Sequence, residues 1–361
     1  MPTKLKILPK IPGYISFRTF GFPKTMPINL TLSVTYTCNS RCKTCNVWKK
    51  KADDLTIDEI NKIFHSVGKS LYWITISGGE PFLRKDLVEI CQSAYRHCEP
   101  GIINIPTNGL LYQTIPEQVK KIVESCPKTN IVINLSLDNI GVKHDEIRGV
   151  PGNWGKALKT YTALRELKYP NFELGIHSVI SNYSINDILS TYEYVEAELK
   201  PDSYITEIAE ERVELDNFGI GVTPPLAEYS QVISVLAARL KQKKFNRIAK
   251  IAQSFRLSYY ELVQETLKRK TQVIPCYAGF ASAQIAPDGD VWSCCIKAES
   301  MGNLRKTNYD FKKIWFSSRA NEMRKSIKNK ACYCPLANAS YTNMLMYFPT
   351  LVKVGRRVIV Q

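Results

Sequence analysis

Three cysteines, Cys38, Cys42 and Cys45, close an alternating run from Ile28 to Thr37 and are spaced C-x3-C-x2-C. Thiolates grouped this closely are the ligand type of an iron-sulfur centre, which takes about one thiolate per iron. A cubane held by only three of them keeps one iron open. An open coordination position is what separates a metal that does chemistry from one that only holds a fold. The blander reading of the triplet is a zinc knuckle completed by a distant histidine. Asn46 and Trp48 follow at once, and the indole of Trp48 could keep water off the site.

A second group, Cys276, Cys294, Cys295, Cys332 and Cys334, lies in the last quarter of the chain, with one adjacent pair and one C-x-C. Five thiols suffice for a further cluster, although four would serve tetrahedral zinc equally well. Cys91, Cys98 and Cys126 fall in or near amphipathic segments, and free cysteine is among the most buried residue types, so they are assigned to the core. The cysteine count of 11 is odd, and the start, Met1 to Lys10, is too broken by lysine and proline for a secretory signal. Reduced thiols and a cytoplasmic location are expected.

The elements that must position these cysteines follow from periodicity. Short apolar runs at 28 to 35, 71 to 76, 102 to 106, 131 to 137, 173 to 180 and 203 to 208 alternate with amphipathic segments, the pattern of repeated βα units and a parallel sheet. Thr56-Ile-Asp-Glu59 offers a capping box to a helix carrying Ile57, Ile60 and Ile63, and Asp86 begins another with Leu87, Ile90 and Cys91. Past Pro224-Pro225, residues 226 to 270 form two basic helices with Leu236, Leu240, Ile248 and Ile251 as buried positions. Asp288-Gly289 is a hairpin turn between Ala283 to Pro287 and Asp290 to Ser293.

With 361 residues, 44% apolar and 23% charged, the chain is long enough for two globular parts. It lacks an 18-residue apolar run, so no transmembrane segment is expected. The net charge of +16 calls for an anionic partner: a phosphorylated substrate, an acidic redox protein, a nucleic acid or an anionic membrane surface.

The stretch from Cys38 to Asn46 resembles the signature of the radical SAM family, and further segments agree with that family in order. Ser77-Gly78-Gly79-Glu80-Pro81 resembles the G-G-E-P loop that meets the methionyl amino group of S-adenosylmethionine. Thr107-Asn108-Gly109 closes the third strand. Ser136-Leu137-Asp138-Asn139, then His144-Asp145 and Arg148-Gly149, resembles the segment that contributes ribose and carboxylate contacts. The resemblance spans roughly residues 28 to 200. It implies a 4Fe-4S cluster on Cys38, Cys42 and Cys45, the catalytic ligands, with Gly78, Gly79, Glu80, Pro81, Asn108, Ser136, Asp138 and Arg148 binding S-adenosylmethionine. Each of these motifs falls at or just after a strand end, where βα barrels keep their active sites.

From Cys276 to Gly279, Ile285 to Cys294, Gly302 to Leu304 and Trp315, the order resembles the twitch or SPASM extension, whose auxiliary iron-sulfur cluster relays electrons or anchors substrate. The full SPASM pattern carries more cysteines than the five here. One cluster on Cys276, Cys294, Cys332 and Cys334 is therefore the economical reading, with Cys295 spare. The expected fold class is α/β: a partial (β/α)6 TIM-like barrel, the radical SAM core (28–222), after an extension (1–27). A helical bridge (223–271), a small cysteine-rich α+β domain (272–340) and a tail (341–361) follow.

Several residues carry a bland reading as well. Gly78 and Gly79 could be a tight turn, and Asn108 a turn residue. Asn139 replaces the family's glycine and could take the left-handed turn in its place. Ser184 stands where an asparagine often follows the fifth strand and could cap a helix from Ile185. His144 and Arg148 could pair with Asp145 on the surface, and His177 is expected as a satisfied core histidine. Glu207, Glu210, Glu211 and Arg212, and the runs Lys49 to Lys51, Lys241 to Lys244, Lys268 to Lys270 and Arg324 to Lys330, read as solvated faces. Met344 to Val360 is expected to pack, although it could touch a membrane surface, giving peripheral association.

The resulting reading is a radical SAM enzyme, oxidoreductase or transferase, that reductively cleaves S-adenosylmethionine to a 5′-deoxyadenosyl radical and removes hydrogen from its substrate. A one-electron donor such as flavodoxin or ferredoxin is implied. Only 27 residues precede the first strand, short of the peptide-recognition domain common in peptide-modifying SPASM enzymes, so a small or lipid-linked, anionic metabolite is expected and a ribosomal peptide is the runner-up. The rival class is a zinc-bearing nucleic-acid binder or a scaffold. Nucleic acid is not the expected partner.

Overall fold

A computed structural model of the chain describes residues 7–243 and 247–360. Six parallel strands follow one another across the sheet: β1 (Asn29–Ser33), β2 (Trp73–Ser77), β3 (Ile102–Thr107), β4 (Asn130–Ser136), β5 (Phe172–Ile180) and β6 (Ser203–Ile208). Their bounds agree with the sequence expectation within two residues. Ile131 to Leu135 of β4 are all buried, as a parallel strand covered on both faces requires.

Between the strands run α2 (Ile57–Val67), α3 (Leu87–Cys98), α4 (Ile115–Ser125), α5 (Gly141–Arg148), α6 (Asn153–Arg165) and α7 (Ile188–Tyr194), after an N-terminal α1 (Ile11–Phe20). The capping box starts α2: the Thr56 hydroxyl accepts from Glu59 N–H, and the Glu59 carboxylate accepts from Thr56 N–H at 2.8 Å. Ile60, Ile63, Phe64 and Val67 of α2 enter one core with Cys91, Cys98 and Cys126, which are fully buried as expected. Ser184 does not cap a helix at Ile185. The helix α7 starts at Ile188, and Ser184 Oγ instead donates to Val179 O and accepts from Ser181 N–H, closing the turn after β5.

Two helices follow β6, α8 (Leu226–Gln242) and α9 (Arg247–Arg269). Leu236 and Leu240 are buried, but Ile251 is 43% exposed, because α9 turns Ser254, Leu257, Tyr260 and Val263 inward. The Ile248 side chain and Lys244 lie outside the described positions.

The C-terminal quarter joins the barrel sheet directly. β7 (Ser282–Ile285) pairs parallel to β1 and turns at Asp288-Gly289, where Gly289 has φ +88°, into the antiparallel β8 (Asp290–Trp292), on which β9 (Ser300–Asn303) then pairs antiparallel. Then come α10 (Phe311–Trp315), α11 (Ser318–Lys328), α12 (Ala337–Leu345) and α13 (Phe348–Val360). Arg324 of α11 is not on a solvated face: it is buried, lies over the rings of Phe17 and Trp315, and donates to Gly279 O at 2.6 Å. In the tail, Met344, Met346 and Val354 are buried, and α13 packs on α9 through Lys353 and Arg357, both paired with Glu261.

One ion pair ties the hairpin to the barrel. Arg305 Nε donates to Glu59 Oε1 at 2.7 Å, and Tyr309 Oη donates to the same oxygen at 2.8 Å. These bonds, Arg305 first, hold the Glu59 carboxyl at about 2. Arg305→Met should lower unfolding stability at pH 7 by about 1–3 kcal/mol. The pair's contribution is complete above the ordinary carboxyl pKa of 4.5 and is lost as pH falls toward about 2. The deficit of the variant, read from urea unfolding, should therefore shrink over that interval.

Candidate active site

Beyond Ser33, Val34 N–H donates to Ser77 O at 2.8 Å, and the chain bends at Tyr36 before Cys38. The cysteine loop is then pressed between two glycine-bearing segments. On one side, Gly79 N–H donates to Thr35 O (2.7 Å) and Glu80 N–H to Thr37 O (2.9 Å). A Cβ on Gly78 would stand 2.2 Å from Thr35 O, and one on Gly79 2.2 Å from Thr37 O, so only glycine allows this contact. On the other side, Arg41 N–H donates to Arg148 O and Lys43 N–H to Ile147 O, and a Cβ on Gly149 would meet Arg41 O at 2.2 Å. Arg41 pins the loop further: its Nη1 donates to Cys38 O and Ser40 O, and its guanidinium covers the Trp48 ring at 4.4 Å.

Glu80 is buried, and its carboxylate accepts from Asn108 N–H (2.8 Å), Thr107 Oγ1 (2.9 Å) and Phe82 N–H (3.2 Å). It ties the loop after β2 to the end of β3, and burial pushes its carboxyl up to about 7. Pro81 is buried at the start of the short helical turn that follows. Asn108 Nδ2 donates to Asn39 Oδ1 at 2.7 Å and lies 4.0 Å from Cys38 Sγ.

At the end of β4, Ser136 is half-buried opposite His177 of β5. Asp138 and Arg148 form a buried ion pair at 2.9 Å, and Arg148 Nη1 reaches Cys42 Sγ at 3.7 Å. Asp138 Oδ1 also accepts from Val179 N–H. The surface pairing with Asp145 is thus corrected: Asp145 caps the start of α6 by accepting from Gly152 and Trp154 N–H. His144 is fully buried. Burial and the Arg148 charge push it down to about 4, so as a neutral ring it accepts from Asp138 N–H at Nδ1 and faces Asn153 Oδ1 at Nε2. The left-handed position is Gly141 (φ +58°) rather than Asn139, whose Nδ2 instead bonds Asp187.

Around the second cysteine group, burial first of all keeps the Cys276 and Cys334 thiols protonated, with Cys294 and Cys332 adding to it at Cys276, and Glu210, Cys276 and Cys294 at Cys334. Cys295 is buried with Leu336 and Ala339, with Cys334 packed against them, and takes a bond from Arg212 Nη1 at 3.6 Å. Arg212 belongs to a strap, residues 210–217, of which Glu210, Glu211 and Arg212 read from sequence as a solvated charge run. Glu210 and Glu214 are buried in it. The strap holds the first cysteine loop, through Asn46 N–H to Leu215 O and Asn217 Nδ2 to Thr44 O. It holds the second through Val213 N–H to Ile296 O and Glu214 N–H to Cys295 O, and β1 and β7 through Glu214 with Ser33 and Gln284. No motif marks these residues; only their place after the last barrel strand hinted at them. His177 Nε2 stands 3.6 Å from Glu207 Oε1, so His177 lies beside a carboxylate rather than in an apolar core.

Burial pushes the Cys38 thiol up to about 11 and Cys45 and Cys276 up to about 12. Thiols that resist ionisation to this degree become ligands when a cation supplies the charge that burial removes. Among the described residues no three His, Cys, Asp or Glu side chains converge at single-ion distance. A cubane asks for no such convergence, because each thiolate meets its own iron. The donor sets at both places fit iron-sulfur clusters.

The model of the radical SAM superfamily matches residues 32–195, and that of the SPASM iron-sulfur cluster-binding domain matches residues 276–335. An AdoMet-dependent heme synthase of Methanosarcina barkeri is 24% identical over 309 residues, 80% of this chain and 82% of its own length. An Fe-coproporphyrin III synthase of the same organism is 27% identical over 201 residues, 53% of this chain and 46% of its own. A probable GTP 3′,8-cyclase of Methanococcus vannielii is 34% identical over 123 residues, 33% and 39% respectively. For these last two, the chain spans half of the relative's length or less. Among solved structures, Streptococcus suis SuiB bound to its precursor peptide SuiA superposes with TM-score 0.60 at 17% identity, over 83% of this chain and 67% of that one. The anSMEcpe complex with AdoMet and the Cp18Cys peptide superposes with TM-score 0.56 at 15% identity, over 92% and 98%. At these identities the likeness is one of fold.

Two variants test the geometry. Gly79→Ala should part the loop from Thr37 and lower the iron retained after anaerobic reconstitution, while a Gly155→Ala control, whose Cβ meets nothing within 4 Å, keeps wild-type iron. Asp138→Asn leaves Arg148 buried without its carboxylate and should cost about 3–5 kcal/mol of stability. S-adenosylmethionine affinity, measured by equilibrium dialysis, should fall with it.

Proposed function

Because the chain belongs to the radical SAM superfamily and carries a SPASM iron-sulfur domain behind the core, we propose that its site residues divide the work as follows. Cys38, Cys42 and Cys45 hold the 4Fe-4S cluster. Asn108, Ser136, Asp138 and Arg148, with the backbone of Gly78 and Gly79, form the S-adenosylmethionine cradle. Glu80 and His144 position that cradle through the bonds described above. Cys276, Cys294, Cys332 and Cys334 take the auxiliary cluster, and Cys295 with Arg212 lies between the two centres. When bound, the cluster and S-adenosylmethionine supply a one-electron reductive cleavage whose 5′-deoxyadenosyl radical removes hydrogen from a C–H bond of the substrate. The chain's own part is to hold the reactants in place and keep water out, with the loop staked by Arg41 and roofed in part by Trp48.

The observation that carries this reading is the three-thiol loop clamped on both faces by Gly78–Gly79 and Gly149. For the substrate, a small anionic metabolite is favoured. The heme synthase and GTP cyclase names of the sequence relatives point to anionic small molecules. Arg212, paired with Glu214 at 3.8 Å and bonded to Cys295 through Nη1, keeps its Nε buried and unbonded, a donor for an anionic group. The peptide reading rests on fold likeness alone.

Reduced, anaerobically reconstituted protein should release 5′-deoxyadenosine from S-adenosylmethionine. Cys38→Ser should abolish that release and bleach part of the visible iron-sulfur absorption, whereas Cys276→Ser should leave the first cluster's signal in place. Colourless wild-type protein, or one that holds iron yet yields no nucleoside, would refute the assignment.

A further inference from the structure

The net charge of +16 is not spread evenly. No Asp or Glu occurs before Asp53, and none after Glu322. The fold brings these two acid-free segments together. Ile7, Ile11, Tyr14 and Phe17 share a buried cluster with Met346, and Leu345 packs against it. Lys328 Nζ, on α11, donates to Thr19 O at 2.8 Å. Phe348 therefore begins α13 close beside α1.

Both segments expose apolar side chains among basic ones. Leu8, Pro12 and Ile15 recur at helical spacing and are exposed, and Phe20, at 81%, and Phe22, in the turn after α1, project at the helix end. On α13, Phe348 is 72% and Ile359 85% exposed, with Gly355 and Arg356 outward between them. Lys10 and Lys24 are exposed around α1. Glu261, the acid packed against α13, is already paired with Lys353 and Arg357. Single exposed apolar residues are ordinary on a protein surface. Four of the most exposed in this chain falling on two acid-free segments is a different pattern, and Glu99, which shares a cavity with Ile7 and Lys10, is paired with Lys69.

We propose that this face docks on an anionic lipid bilayer, with Phe20, Phe22, Phe348 and Ile359 entering the interface and Lys10, Lys24 and Arg356 meeting headgroup phosphates. Basic residues around exposed aromatic and aliphatic side chains supply the two contributions, apolar insertion and attraction to anionic lipid, that interfacial binding combines. An acidic protein would match the charge, but these side chains stand on helix ends and on the turn after α1 rather than on one flat patch, and a fluid bilayer accommodates such projections one by one. No helix among the described residues is long and apolar enough to cross a membrane, so the attachment is at the surface. The proposal stands independently of the radical chemistry above.

Flotation of the full-length, cluster-loaded protein with vesicles of phosphatidylcholine, alone or mixed with phosphatidylglycerol, tests it. Binding should appear on the mixed vesicles only and weaken steeply with salt. Lys24→Glu and Arg356→Glu should each reduce it about fivefold or more. Phe20→Ser combined with Phe22→Ser should reduce it at least about tenfold, with wild-type melting temperature and iron content. Equal binding to both vesicle types, binding to neither, wild-type binding by the double Phe variant, or capture of an acidic protein by a chain that ignores vesicles would each overturn the proposal.

Discussion

Two stretches of backbone can touch only where no side chain stands between them, and the whole arrangement around the first cysteine loop rests on that restriction. Gly78 and Gly79 lie against Thr35 and Thr37, and Gly149 lies against Arg41, each where a single added carbon would meet a carbonyl oxygen at 2.2 Å. The loop is therefore held largely by its main chain, and the thiols of Cys38 and Cys42 accept only long bonds, from Ser40 N–H, Asn108 and Arg148. Glu80 extends the same economy, for one buried carboxylate satisfies three donors and joins two strand ends.

Burying ionisable groups this densely demands compensation, and the strap at 210–217 provides much of it. Arg212 lowers both Cys45 and Cys295, although burial outweighs it in each case. Through Asn217 and the strap backbone the same segment grips both cysteine loops. The two cysteine regions are thus one mechanical unit, and a disturbance of the strap reaches both.

The barrel was legible because its strands are apolar runs of the right length and its motifs sit at their ends. Cys38, Glu80, Asp138 and Arg148 could be placed from local spacing together with family resemblance. What sequence could not reveal was set by contacts between remote segments. The charges from Glu207 to Arg212 look solvated until the C-terminal hairpin is laid over them. Arg148 looks able to pair with its neighbour Asp145, but the turn after β4 delivers Asp138 to it. Ile251 has the right residue type for the core, yet α9 is rotated by its packing on α12 and α13, which draws in Leu257, Tyr259 and Tyr260 instead. Asn139 inherits the family's glycine position without its dihedral, because Gly141 makes the bend.

The pairing of β1 with β7 carries a consequence for how the protein is made. β1 is the first strand to leave the ribosome, and one of its two ladders cannot close until Ser282–Ile285 have been synthesised. Throughout that interval its free N–H and C=O groups form an open edge beside unoccupied thiols, the kind of template on which nascent chains join one another. The strand leading into the first cysteine loop emerges well ahead of the one that seals it, which follows about 250 residues later.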